Sequence, residues 1–126
     1  MKHVCTKLLA MTAMCASFGA WAHHSFTALY FVDDEMQIEG RVVQFAVRNP
    51  HSFLHVAAPD ESGVEQRWAI EWGAVAALGR INRETLKPGD EVIVVGNPSR
   101  DPASHRLRMV RIERPADGWS WGGTFD

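Results

Sequence analysis

Beyond residue 35 the chain alternates apolar and polar positions in short runs, with turn residues between them at short spacing. That pattern predicts a small antiparallel β-domain. Met36 to Val47 reads as a long first strand with Met36, Ile38, Gly40 and Val42 on one face. The apolar phase then passes to Val43, Phe45 and Val47, which predicts a β-bulge, with Gly40 suited to a nearby bend. Asn49-Pro50 turns the chain into a second strand, Ser52 to Ala58, and Pro59 to Gly63 forms a hairpin loop. Glu65 to Trp72 is a third strand, with Val64, Gln66, Trp68 and Ile70 on one face. Gly73 to Leu86 carries Val75, Leu78, Ile81 and Leu86 at helical spacing and reads as a helix.

Lys87-Pro88-Gly89-Asp90 is a turn, followed by a fourth strand, Glu91 to Val95, and a polar loop from Asn97 to Ser104. Leu107 to Glu113 is a fifth strand, with Leu107, Met109 and Arg111 facing away from Arg108, Val110 and Ile112. The order is three strands, a helix and two strands. It predicts an all-β domain with one helix, an OB-like five-stranded partly open barrel. A split open sheet with one helix is the competing arrangement. The tail, 115–126, places Trp119, Trp121 and Phe125 among glycines.

The first 22 residues belong to a different regime. Lys2, His3 and Lys7 precede an apolar run from Leu8 to Ala20, and Ala20 and Ala22 stand at the small-residue positions of a cleavage site. This is the pattern of a secretory signal peptide covering 1–22, leaving one domain, 23–126, in the periplasm. Both cysteines, Cys5 and Cys15, fall in the signal, so the mature chain is expected to hold no disulfide and no thiolate metal site. Losing Lys2 and Lys7 takes the formal charge from −2 to −4. An acidic domain argues against nucleic acid as a partner, and the apolar run is too short for a stable membrane anchor.

Cleavage after Ala22 would make His23 the first residue, with a free amine, its own imidazole and that of His24 beside it. Copper(II) favours such nitrogen-rich sets. Metal must displace the protons on these nitrogens, so binding is expected to weaken as pH falls. His51 and His55 share a strand face, but four residues of strand span about 13 Å. Metal–imidazole bonds are only ~2.0–2.1 Å long, so one straight strand cannot bring both to one ion. His51, at the turn, is the expected third ligand, giving a metal set of His23, His24 and His51. His55 and His105 are expected as ordinary strand and loop residues. No serine sits in a Gly-x-Ser-x-Gly elbow, and Asp33-Asp34-Glu35 lacks calcium-loop spacing.

The sequence therefore reads first as a binding module. An enzyme built on a histidine-bound copper centre, which would need an open coordination position and a substrate face, is the more distant alternative. The module's partner would be a small ligand or another exported protein, and copper is its most concrete form. The nearer alternative is a structural or interaction module that docks through exposed Trp119 and Trp121. Those rings could instead fold back onto the barrel.

Five motifs in order carry a family resemblance: His23-His24-Ser25-Phe26, Asn49-Pro50-His51, Trp68, Leu86-Lys87-Pro88-Gly89-Asp90-Glu91 and Asp117-Gly118. With these the chain resembles an uncharacterised family of small exported proteins of Gram-negative bacteria, a domain of unknown function. The resemblance spans nearly all of the mature chain and implies an exported single domain with no assigned reaction. Gly73-Ala74-Val75-Ala76 departs from the Gly-Ser-Pro-Asn-like segment of that family, so the start of the expected helix is altered here.

Overall fold

The structure, a computed structural model, describes residues 26–125. The expected signal peptide and its cleavage site, together with His23 and His24, lie outside the described residues. Six strands follow the segment 26–35: β1 Met36–Ala46, β2 Phe53–Pro59, β3 Glu65–Glu71, β4 Glu91–Pro98, β5 Arg106–Arg114 and β6 Trp119–Gly122. They form one sheet in the order β3-β2-β1-β4-β5-β6. A parallel pairing of β3 with β5, from Ala69↔Arg106 to Glu71↔Arg108, closes the first five strands into a barrel. This is the OB-like architecture the pattern predicts, with closure where a partly open barrel was expected and with β6 added outside β5.

The interior follows from alternation and from two bulges. Ile38 and Val42 point inward from β1, and the register against β2 slips between Val42 and Gln44. The slip leaves Val43 exposed and brings Phe45 back onto the core, which is why the apolar phase changes along this strand. Gly40 is required by packing: an added Cβ would overlap the carbonyl oxygen of Ala57 on β2. A second slip lies opposite Gly96, so Leu107, Met109 and Ile112 are all buried. Simple alternation had put Ile112 on the face opposite Leu107 and Met109.

Trp68 is buried as expected, with its indole N–H donating to Ala58 O at 3.2 Å. Val64 falls in the hairpin loop and is exposed rather than sharing that inner face.

The expected helix over 73–86 is reduced to a single 3-10 turn, Val75–Leu78. Ala74 occupies its N-cap and offers no side-chain cap, and Gly79 at φ 60° ends it. Asn82 then holds a local turn, its side chain accepting from Glu84 N at 2.8 Å. Leu78 and Leu86 are still buried, so the apolar spacing is satisfied by turns rather than by a continuous helix.

Candidate functional site

Four side chains converge at one end of the barrel: Tyr30, His51, Glu71 and Arg106. Glu71 ends β3 on the outward face of the sheet, opposite Phe53 of β2. It is nevertheless only 2 % exposed. The segment before β1 packs over it, anchored to the β4–β5 connection through Phe31 N to Pro98 O at 2.9 Å and Arg100 N to Leu29 O at 2.9 Å. A bridge between Tyr30 and Ser99 fixes the segment further. Tyr30, fully buried, donates its hydroxyl to Glu71 Oε2. Arg106, at the start of β5, donates to the same oxygen at 2.6 Å. His51 Nδ1 meets the other oxygen, Oε1.

Burial alone would push the Glu71 carboxyl up, but hydrogen bonds from Tyr30, His51 and Arg106, with the Arg106 charge, outweigh it and hold the pKa below the ordinary value. Burial and the neighbouring carboxylate push the Tyr30 phenol well above its usual range. Arg106 loses solvation as well, yet its pairing with Glu71 holds it more firmly protonated than a free guanidinium. The carboxylate therefore stays ionised, with three donors aimed at it.

His51 occupies a particular position in this cluster. Because Glu71 engages Nδ1, the ring is held with Nε2 turned away from the carboxylate, and its side chain is 37 % exposed. Carboxylate orientation of this kind is what ligating histidines use to fix their tautomer and ring plane. Asn49-Pro50, a cis peptide, forms the turn that precedes it. Ser52 locks the turn by accepting from Arg48 N at 3.1 Å and donating to Arg48 O at 3.2 Å. Phe26 lies on the His51 ring, centroids 5.7 Å apart and planes inclined by 20°. The described chain thus begins against His51. His24 and His23 stand two and three residues earlier, within roughly 7–10 Å of contour.

Of the expected metal set, His51 is the member within the described residues, and no three metal-ligating side chains gather among those residues. His55 lies two positions beyond Phe53 on β2, its ring near that of Phe53. His105 adopts a left-handed backbone, φ 43°, with its ring edge against Trp68. Neither joins His51 in a group of three metal-ligating side chains among the described residues.

Trp119 and Trp121 belong to β6, which pairs with β5. Both are partly buried against the core: Trp121 meets Trp72 edge-on at 4.8 Å and Trp119 lies under the Arg114 guanidinium at 5.5 Å. The tail folds back onto the barrel, the second of the two arrangements open to it. A cavity of about 340 Å³ lies between the β2–β3 and β4–β5 loops, floored by Met36 and Trp68.

The model of a family of unknown function, DUF6152, matches residues 11–108. The chain belongs to this family. The matched region contains Tyr30, His51, Glu71 and Arg106 and stops short of β6. The resemblance read from the motifs holds at that level, and the family's description assigns no activity. No curated protein and no solved structure matches the chain.

The sequence singles out His51 but not the three side chains gathered with it. Glu71 alternates with Arg67 and Ala69 on what reads as a solvent-facing side of β3, and Tyr30 precedes every recognisable element. The available signal was one of type: the chain has a single tyrosine, and a buried tyrosine hydroxyl needs a partner.

Proposed function

We propose that this protein is a small exported binding protein that holds copper through the processed terminus at His23, the His24 imidazole and His51 Nε2. The observation that carries the reading is the buried Glu71 on His51 Nδ1, which leaves the opposite nitrogen as the ring's available donor. Two further facts support it. Phe26 stacks on the same ring, and His24 and His23 precede it in the sequence by only two and three residues. Glu71 is itself held by Tyr30 and Arg106, so the orientation of His51 does not depend on a mobile side chain.

In this reading Glu71 orients the ligand and does not touch the metal. Its replacement by Gln keeps the shape but weakens the acceptor. Outer-sphere changes of this kind cost on the order of 10–100-fold in metal affinity, and that is the expected loss for Glu71→Gln.

The test is electron paramagnetic resonance of the processed protein with one equivalent of copper(II). The proposal expects nitrogen hyperfine structure from both the terminus and His51, and a changed, nitrogen-poorer spectrum for His51→Ala. Tryptophan fluorescence of the variant would confirm an intact barrel. An unchanged copper spectrum in folded His51→Ala would remove His51 from the site and the reading with it.

A further inference from the structure

The outward face of β2 and β3 carries a second constellation, separate from the metal proposal. Residues 53, 55 and 57 of β2 and 67, 69 and 71 of β3 pair across this face. Phe53 and His55 set their rings side by side, centroids 6.4 Å apart and planes inclined by 23°. Two guanidiniums lie over the Phe53 ring, Arg48 at 5.6 Å and Arg106 at 5.1 Å. Arg67 stands across from Ala57 and reaches Gln44 Oε1 on β1 at 2.9 Å.

The face carries charges of both signs: Glu71, and beyond Arg67 on β3 the exposed Glu65 opposite Pro59. Arg106 is paired with Glu71. Arg48 and Arg67 are exposed and have no carboxylate partner among the described residues. His55 Nδ1 is buried and has no hydrogen-bond partner among them either. Burial, then the Arg67 and Arg48 charges, lowers the pKa of His55, so the ring is a neutral neighbour that both cations influence.

We propose that this face binds a small aromatic carboxylate, its anionic group between Arg48 and Arg67 and its ring against Phe53 and His55. Guanidinium is the side chain best shaped to grip a carboxylate, through two parallel N–H donors. A guanidinium stacked on an aromatic ring keeps those in-plane donors free. The half-buried rings of Phe53 and His55 supply the apolar, planar contact that a simple inorganic anion would not use. A long polyanion is disfavoured because it would run onto the acidic remainder of the domain.

The test is nitrogen–proton correlation NMR of the protein without added metal, titrated with benzoate, acetate and benzamidine in parallel. Benzoate should shift the amides of residues 53–57 and 67–69 and bind more tightly than either other probe. Arg48→Ala and Arg67→Ala, both at exposed positions, should each weaken benzoate on the order of tenfold, the effect of one charge-assisted contact. Phe53→Leu should weaken benzoate without changing acetate. Arg111→Ala, which removes a charge from the far side on β5, should change nothing. The proposal fails if benzoate produces no localised shifts, if acetate or benzamidine binds as well as benzoate, or if the Arg48 and Arg67 variants bind like the unaltered protein. Because no metal is present, failure here leaves the copper reading untouched, and loss of the copper site leaves this one standing.

Discussion

Glu71 carries its charge where little water reaches it, so three neighbours set its behaviour. Removing the carboxylate in Glu71→Ala leaves the buried Tyr30 hydroxyl without its acceptor, while Arg106, its side chain 35 % exposed, can turn to water. The expected cost is that of an unsatisfied buried polar group, about 1–3 kcal/mol. A urea-unfolding midpoint checks that figure. The pH dependence has two limbs. Glu71 has a depressed folded pKa, so its contribution is full above the ordinary value of 4.5 and is lost as pH falls through the lower folded value. Asp60, held down to about 2 by hydrogen bonds from Ser62 and Gln66, acts in the same direction.

Tyr30 has a raised folded pKa, so its contribution is full below the ordinary value of 10.0 and is lost as pH rises through the higher one. Since this is the only tyrosine in the chain, near-ultraviolet phenolate absorbance reports it alone. The folded protein should show no phenolate at pH 10, where an exposed tyrosine is half ionised. Half-ionisation near pH 10 in folded protein would show that the phenol is not buried against Glu71. Little of this cluster was legible beforehand. His51 stood out by residue type and by the Asn-Pro turn, whereas the links from Glu71 to Tyr30 and Arg106 span 41 and 35 residues and depend on how the barrel closes.

At the scale of elements, β1 shows how much a period-2 pattern can carry. The shift of apolar phase after Val42 foretold a bulge, and the register slips there. The equivalent slip in β5 left no such trace, because Val110 is apolar on either reading and alternation continued through it without conflict. The 73–86 stretch failed for the opposite reason: its apolar spacing suited a helix, but Gly79 and the absent cap outweighed it. Two variants test these elements. Gly40→Ala drives a methyl into the Ala57 carbonyl and should cost about 1–3 kcal/mol, the usual range for overpacking. Trp68→Ala empties a buried indole site and should cost about 3–5 kcal/mol. Thermal melts of both decide the matter, and an unchanged melting curve for Trp68→Ala would contradict its place in the core.

For the whole molecule, the barrel serves as a rigid mount. Closure of β3 on β5 brings Arg106 beside Glu71, and the anchored segment 26–32 delivers Phe26 to His51. The fold class and strand order were legible in the sequence because each strand has its own turn signals. Of the proposed site, the sequence displayed only a set of nitrogen donors. Calorimetric titration of copper(II) into the protein beginning at His23, compared with the same protein carrying one extra residue before it, decides whether the terminus is a ligand. A terminal copper site requires one-to-one binding to the protein beginning at His23, greatly weakened by the extension. His51→Ala should cause a smaller loss, and His55→Ala or His105→Ala almost none. Equal copper affinity for the native and extended termini would contradict it.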